Sequence, residues 1–271
     1  MSEDRFVLLL DILGFKQLVA TKSLHFIRDK IEGLLDECES WAAGRSDTDF
    51  DTIHFSDTVL IYTRRKGAYK EWYDDMVFIG SRICSKMFAD GLPVRGALSY
   101  GSFLVEKSGR HKIYLGQALI DAHETAEPKD GNGNRDFMGF KVTPHTWRTI
   151  YPALTNKDAF REFGWGVLQS DDTLWINFFQ ELQGDDPRQI AFEFEEELRY
   201  PERTENPWPV HELNAFRYIR STANLHARQP EHPIARKYLK TMSFIREVLG
   251  ERLYETVDAL ADESIGTAAS S

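Results

Sequence analysis

Two aspartates, Asp11 and Asp57, are the residues whose type and spacing first indicate chemistry, because each lies at the edge of an apolar, β-rich run. Asp11 interrupts the run VLLLDILGF, and Asp57 follows Ser56 in TIHFSDTVLIY. A carboxylate inside an apolar run is costly to bury unless it is paired or binds a cation. Considered singly, a strand-end cap for Asp11 and an ordinary turn residue for Asp57 are the simpler interpretations.

The two positions indicate more together, since one amphipathic helix separates the two β-rich runs. If these strands are neighbours in one sheet, both carboxylates emerge at the same end of it. Hard divalent ions prefer oxygen ligands of this kind, and two ions about 4 Å apart can clamp an in-line displacement at phosphorus. The loop from Ile12 to Phe15 follows Asp11 directly and opens a helix, so its backbone N–H groups are placed to cradle phosphates.

Hydrophobic periodicity gives the elements that must position these residues. The first half of the chain is predicted to contain strands at Arg5–Leu13 and 92–105, a hairpin at Thr52–Tyr62, a strand ending at Leu115, and helices at Ser23–Trp41, Trp72–Ala89 and Gly116–Glu127. Beyond a polar loop at 128–135, the pattern predicts strands at Phe137–Val142 and Thr173–Phe179, a turn at 182–187 and a mostly helical remainder. The predicted fold is α/β (an α+β sandwich), a mixed sheet flanked by helices. We expect a catalytic domain over residues 1–180, a helical C-terminal extension over 181–261 and a disordered tail over 262–271.

Composition restricts the classes of function. The chain has 271 residues, 42% of them hydrophobic, and a net charge of -10, which argues against a nucleic-acid partner. Two cysteines cannot form a disulfide framework. The N-terminal apolar run is too short to span a bilayer and lacks a signal-peptide cleavage pattern. We therefore expect a cytoplasmic protein without a membrane partner.

Four motifs in order resemble the class III nucleotidyl cyclases: DILGF at 11–15, FSDTVLIY at 55–62, PVRGALSYG at 93–101 and YLGQALIDAHETAE at 114–127. The first resembles that family's first metal motif, and the second resembles the hairpin that carries its second metal aspartate. The resemblance covers residues 5–127 and the strands as far as 179. More narrowly, RGALSYG, YLGQAL and the helical C-terminal part resemble the Pycsar cyclases, bacterial anti-phage enzymes that make cyclic pyrimidine mononucleotides.

The resemblance implies a class III cyclase-like fold and a set of site residues. Asp11, Asp57 and Ile12 would ligate two Mg²⁺ or Mn²⁺ ions. Nucleoside triphosphate would be bound by the loop Ile12, Leu13, Gly14 and Phe15. Class III sites form between two catalytic domains, so a homodimer is implied. The product would be a second messenger in anti-phage defence, read by a separate effector protein that a cyclic nucleotide activates.

The chain departs from the family pattern at the positions that read the base and at those that balance the charge of the triphosphate. By alignment, Ile53 and Ile113 occupy positions where purine cyclases place polar base-reading residues, and a site that reads a purine would not leave its polar edges against apolar side chains. Phe50 and Phe55 are candidates for narrowing the base pocket, with core packing as the alternative for each. The family's transition-state Asn and Arg fall on Ile120 and Glu124, which cannot replace them. Arg95 or Lys16 is the candidate cation, and Arg95 is equally consistent with a structural ion pair.

The resulting functional prediction is a uridylate cyclase that converts UTP to 3′,5′-cyclic UMP and pyrophosphate. A cytidylate cyclase that uses CTP and a non-catalytic, cyclase-like nucleotide-binding domain are the alternatives. A polymerase-like nucleotidyl transferase also places two acids on adjacent strands, but the net charge of -10 disfavours a nucleic-acid primer.

Overall fold

A computed structural model describes residues 3–43, 49–108, 111–127, 137–152, 154, 159–162, 166–180 and 208–268. The predicted loop at 128–135 and the predicted turn at 182–187 lie outside these ranges, and so does the start of the predicted helical remainder.

A seven-stranded mixed sheet forms the centre of the protein. Its strands are β1 Asp4–Ile12, β2 Phe50–Phe55, β3 Thr58–Thr63, β4 Val94–Ser102, β7 Gly139–Val142, β8 Gly166–Leu168 and β9 Leu174–Ile176. The strand order is β2-β3-β1-β4-β7-β9-β8, in which only the β4–β7 pair is parallel. Strands β5 (Leu104–Ser108) and β6 (His111–Leu115) form a separate two-stranded sheet. The first four strands, with the helices between them, have the split βαβ arrangement of ferredoxin-like folds.

Nine helices are found within the described ranges. They are α1 Phe15–Thr21, α2 Leu24–Ala43, α3 Lys70–Ala89, α4 Gln117–Ala126, α5 Pro144–Ile150, α6 Ala159–Glu162, α7 Trp208–His226, α8 Pro233–Leu249 and α9 Glu251–Ala268. Ser23 caps the N-terminus of α2, since the backbone N–H of Phe26 donates to Oγ of Ser23 at 3.2 Å. None of the described helices combines the length and the apolar sequence that crossing a membrane requires.

Alternating side chains of the strands build two cores on opposite faces of the sheet. The first face packs against α2, α3 and the C-terminal helices; its members include Phe6, Leu8, Leu10, Ile83 and Phe216. The second face is smaller and packs against α4 and the β5–β6 hairpin; its members include Val7, Leu9, Leu60, Ala118 and Ala122. Asp11 continues the odd-numbered series of β1, so it belongs to the second face.

The predicted fold class, an α/β protein with a mixed sheet flanked by helices, is confirmed. Two observations bear on the C-terminal part. Helix α7 contributes Val210, Leu213 and Phe216 to the same core as the sheet. Helix α9 runs as far as Ala268, through most of the segment that we expected to be disordered. The separate status of residues 181–261 stays a prediction.

Candidate active site

Asp11 lies one residue before the end of β1, between two neighbouring strands. It is opposite Thr58 of β3 on one side and opposite Arg95 of β4 on the other. The strand places its carboxyl group at the rim of the second face, and 24% of the side chain is exposed. The group is therefore half-buried yet reachable from solvent, as a ligand for an exchangeable cation has to be.

Asp57 lies in the tight turn between β2 and β3. The turn places Ser56 in the left-handed region, with φ of 56°. The backbone N–H of Ile12 donates to the carbonyl oxygen of Asp57 at 2.8 Å, which ties the tip of the hairpin to the end of β1. The two aspartates that the sequence singled out thus meet at one end of the sheet.

The electrostatics of Asp11 show how its surroundings act on the carboxyl group. Burial raises its pKa, and the negative charge of Asp57 raises it further. The guanidinium of Arg95 opposes both effects, as His123 does more weakly. A cation bound beside Asp11 would relieve the repulsion that the charge of Asp57 causes there.

Arg95 already supplies one positive charge at this point. Its Nη2 atom donates to Oδ2 of Asp11 at 3.2 Å and also pairs with Glu127, directly after α4. The interpretation of Arg95 as an ion-pair partner is therefore confirmed. Its guanidinium is nearly buried, with 10% of the side chain exposed, so it is fixed beside the carboxyl group.

Some backbone N–H groups of the loop after β1 are hydrogen-bonded within the protein, and others are not. Those of Ile12 and Leu13 are used internally, the first by Asp57 and the second by the carbonyl oxygen of Pro93 at 2.8 Å. Gly14 adopts φ of 73° and turns the chain into α1. Within the described residues no backbone acceptor is found for the N–H groups of Gly14, Phe15 and Lys16, so these three are the donors left for a phosphate.

The positions predicted to surround the base fall into different environments. Ile53 packs against the second-face core, whereas Ile113 on β6 is partly exposed and belongs to neither core. Phe50 is 7% exposed and lies in the first-face core, so core packing is its role. Phe55 is 60% exposed, and core packing is therefore wrong for this residue.

The residues at the end of β1 fit a pair of hard divalent ions in chemical type. Among the described residues no group of three or more His, Cys, Asp or Glu side chains is placed to hold a metal. The available set is the carboxyl oxygens of Asp11 and Asp57 together with backbone carbonyl oxygens, and it includes Ile12 only through its backbone because its side chain is buried on the opposite face. Oxygen-only sets with open positions for water and phosphate suit Mg²⁺ and Mn²⁺.

Sequence reasoning missed two members of the site. Glu127 completes the Arg95 ion pair, and His123 acts on the charge of Asp11. Both lie on or next to α4, and only the packing of that helix across the sheet brings them near β1. The sequence motif that contains them, YLGQALIDAHETAE, was recognised, but nothing in its spacing distinguishes these two side chains.

No protein-family model and no curated protein matches the chain. Solved structures with a similar fold include the guanylate cyclase domain of RhGC from Catenaria anguillulae in complex with GTP, at 18% identity, TM-score 0.42, covering 55% of this chain and 82% of that one. The adenylyl cyclase CyaB from P. aeruginosa is similar at 17% identity and TM-score 0.42, covering 56% and 83%. A non-canonical dimeric guanylyl cyclase domain of the RhoGC fusion protein from Blastocladiella emersonii is similar at 17% identity and TM-score 0.41. The match covers 56% of this chain and 84% of that one. At these values the likeness assigns neither substrate nor activity to this chain.

Proposed function

We propose that this chain is a two-metal nucleotide cyclase that converts UTP to 3′,5′-cyclic UMP and pyrophosphate. The observation that carries the proposal is the hydrogen bond from Ile12 to the turn carbonyl of Asp57, because it brings the Asp57 turn to the end of β1, where Asp11 lies. Two carboxyl groups, a loop with three available N–H donors and a fixed arginine form a site for a triphosphate and its metal ions. This combination supports phosphoryl chemistry more than any other class of reaction.

The reaction closes a ring at the α-phosphorus. The ribose 3′-oxygen forms a bond to that phosphorus, the bond to the bridging oxygen of pyrophosphate breaks, and the 3′-hydroxyl proton leaves to solvent. Bound Mg²⁺ or Mn²⁺ ions lower the pKa of the 3′-hydroxyl and neutralise the leaving group. Asp11, Asp57 and the backbone carbonyl of Ile12 would hold them.

The other residues bind and orient the triphosphate. The N–H groups of Gly14, Phe15 and Lys16 donate to phosphate oxygens, and the left-handed turn at Gly14 aims them. Arg95 keeps the Asp11 carboxylate in position through its ion pair, and its fixed positive charge reduces the repulsion between that carboxylate and the substrate. The site thereby orients the 3′-oxygen in line with the leaving group.

A pyrimidine base is favoured by the apolar positions Ile53 and Ile113. A purine would meet side chains that offer no hydrogen bonds, and each unpaired polar group that loses water costs about 1–3 kcal/mol. The exposed ring of Phe55 is available to narrow the base site. UTP is placed ahead of CTP on the resemblance to the Pycsar cyclases, so cyclic CMP is the alternative product. The product would act on a separate effector protein.

A homodimer completes the proposal. Several apolar side chains are exposed in the single chain on β5, β6 and α4, the elements that cover the second face; they are Leu104, Ile113, Leu115 and Ile120. A second copy seated on this face would cover them. It would also bring its own loop and basic residues to each site, where Ile120 and Glu124 of this chain supply no cation.

Product analysis tests the proposed reaction. Purified protein with Mn²⁺ is incubated with equal concentrations of ATP, GTP, CTP and UTP, and the products are separated by chromatography and identified by mass. Cyclic UMP and pyrophosphate in equal amounts are expected. Cyclic AMP or cyclic GMP as the main product would overturn the argument from Ile53 and Ile113, and cyclic CMP would overturn only the choice of uracil.

One observation favours a second candidate, a cyclase-like domain that binds nucleotide without turnover. Arg95 already neutralises Asp11, as a domain that no longer needs metal would arrange it. In that case UTP binds without Mn²⁺ and no cyclic product forms. Calorimetric titration of UTP with and without Mn²⁺, beside the product analysis, separates the two candidates.

A further inference from the structure

A cavity of about 380 Å³ lies beside the loop from Ile12 to Phe15, here named the phosphate loop, on the side that faces the C-terminal helices. One wall is formed by Leu13, Gly14 and the length of α1, the second by the segment 91–93 that leads into β4, and the third by α7 and α8. Small-molecule sites typically have volumes of about 300–1,000 Å³. The cavity is therefore large enough for a ligand of nucleoside size.

The charge of the lining differs from that of the chain as a whole. The chain has 43 acidic residues against 33 basic ones, yet the described residues that line the cavity include Lys237 and His226 and no Asp or Glu. The ammonium group of Lys237 and the imidazole N–H of His226 are groups that can bind an anion. Lys237 and His226 lie on different helices, α8 and α7, and both line the same cavity.

The remaining lining residues combine aromatic rings with hydrogen-bonding groups. The hydroxyls of Tyr218 and Tyr238 are joined by a hydrogen bond of 2.9 Å. Gln17, Thr21 and Thr222 add one amide and two more hydroxyls. Rings, hydroxyls and an amide around a cationic end suit a compound that has a planar ring, sugar hydroxyls and one phosphate.

The cavity is separate from the site at Asp11 and Asp57. Neither aspartate lines it, and Leu92, Tyr238 and Met138 of its lining belong to the first-face core. Asp11 belongs to the second face, where β1 packs against α4. Only the loop residues Leu13 and Gly14 are shared between the cavity and the phosphate loop.

Helix α1 is the element that would transmit occupancy of the cavity. It begins three residues after Ile12, and none of its residues is fully buried; only Phe15 and Leu18 pack, partly buried, against the first-face core. Three of its residues, Gln17, Leu18 and Thr21, face the cavity. A ligand that bridges α1 to α7 and α8 would fix the helix and, through Gly14, the N–H donors of the loop.

We propose that this cavity is an effector site for a nucleoside monophosphate, whose phosphate binds between Lys237 and His226 and whose binding orders α1. The binding step is independent of the proposed cyclase reaction. Only the consequence for turnover rests on the proposed function.

Direct binding tests the site without metal or catalysis. The full chain in EDTA is titrated by NMR and calorimetry with AMP, GMP, CMP and UMP, and with the four matching nucleosides. At least one monophosphate is expected to bind saturably, about tenfold or more tighter than its nucleoside, which lacks the anion. Hydrogen exchange of residues 14–21 should slow when it binds. Absence of saturable binding by all four monophosphates, or equal binding of the nucleosides, overturns the proposal.

Variants locate the bound ligand. Lys237→Gln removes a cation and Gln17→Glu adds a negative charge at an exposed position that cannot disturb folding, so each should weaken binding about fivefold or more. Lys240→Gln makes the same change on the same helix outside the lining and should leave affinity within about twofold. Asp57→Asn should also leave affinity unchanged. Binding that survives both lining variants, or that is lost in Asp57→Asn, places the ligand elsewhere and contradicts the proposal.

A measurement of the rate of cyclic nucleotide formation distinguishes this proposal from the cyclase proposal. If the protein forms cyclic nucleotide, the bound monophosphate should change the rate at subsaturating UTP, and Gln17→Glu should abolish that change. If the protein forms none, the binding and exchange results still decide whether the cavity is a site.

Discussion

Arg95 donates from Nη2 to Oδ2 of Asp11 at 3.2 Å, across the β1–β4 pair. The same nitrogen pairs with Glu127, so one guanidinium joins two carboxylates from β1 and from the end of α4. This arrangement places a fixed cation at the position where the proposed chemistry needs metal ions. We therefore expect Arg95 to position Asp11 and to stabilise the site when no metal is bound.

Removal of Arg95 should therefore make stability depend on metal. Arg95→Ala leaves the carboxylates of Asp11 and Glu127 without their cation, and we expect a loss of about 1–3 kcal/mol in the free energy of unfolding. Mn²⁺ should restore more stability to this variant than it adds to the wild type, because the ion takes over the missing charge. Urea unfolding with EDTA or Mn²⁺ measures both effects.

The control for this experiment is Arg148→Ala, which removes an arginine from an exposed pair with Asp172. Exposed pairs contribute about 0–1 kcal/mol, so a small change without metal dependence is expected. Equal responses of the two variants to Mn²⁺ would show that Arg95 has no special relationship to a cation site.

The phosphate loop depends on the backbone conformation of Gly14. Gly14 has a left-handed backbone with φ of 73°, and no atom lies near a methyl group added there. Gly14→Ala should therefore lower the free energy of unfolding by about 1–2 kcal/mol through the backbone conformation alone. The KM for nucleotide should rise because the loop donors lose their direction. Gly33→Ala on α2 also has open space but a helical backbone, so it should stabilise by about 0.5–1 kcal/mol. Thermal unfolding should show a lower melting temperature for Gly14→Ala and a higher one for Gly33→Ala. An unchanged melting temperature in Gly14→Ala would contradict the left-handed turn at this residue.

Helix α7 should contribute to the stability of the sheet rather than form a detachable extension. Phe216 is fully buried in the first-face core, and Phe216→Ala should cost about 3–5 kcal/mol. Leu225, on the same helix, is 76% exposed, and Leu225→Ala should change stability by less than about 0.5 kcal/mol. Unfolding followed by far-UV dichroism should show one cooperative transition, and a separate transition for the C-terminal helices would instead support a separate extension over residues 181–261.

Protonation of His211 should lower the free energy of unfolding in mild acid. Burial lowers its pKa, with a further lowering from Lys86, while Glu37 and Asp90 oppose the shift. The unfolded state then binds a proton more readily than the folded state, so this contribution is present above about pH 6.5 and is lost as pH falls through the lower folded value. The slope of unfolding free energy with pH below about 6.5 should be smaller in His211→Gln. An unchanged slope would mean that other groups cause it.

Local sequence patterns predicted the elements whose residues pack in a regular alternation. The β1 run, the β2–β3 hairpin and helix α3 follow from apolar periodicity, and Asp11 and Asp57 stood out because they interrupt it. Helix α1 was predicted only as a helix that the loop from Ile12 to Phe15 opens; its length did not follow from the sequence, because no residue in it is fully buried. Phe50 and Phe55 could not be told apart by type, yet one is core and the other is exposed.

Contacts between segments that are far apart in the sequence could not be predicted from local patterns. Arg95 and Asp11 are 84 residues apart, and their pairing depends on the register of two antiparallel strands. Its second partner, Glu127, depends on where α4 ends over the sheet. The cavity beside α1 likewise arises only when α7 and α8 return to the loop after β1. The meeting of Asp11 and Asp57 at one end of the sheet was therefore predictable, whereas the charge balance around them was not.

Formation of cyclic nucleotide by aspartate variants is the most direct test of the central claim. Asp57→Asn and Asp11→Asn keep the shape of each side chain but remove a ligand charge, and each should lower the rate with UTP and Mn²⁺ by at least about 10³-fold, or about 4 kcal/mol in the activation barrier. Asp171→Asn changes an aspartate at the turn of the other hairpin, β8–β9, and should leave the rate within about twofold. Folded Asp57→Asn or Asp11→Asn protein that turns over UTP at the wild-type rate would contradict the two-metal account.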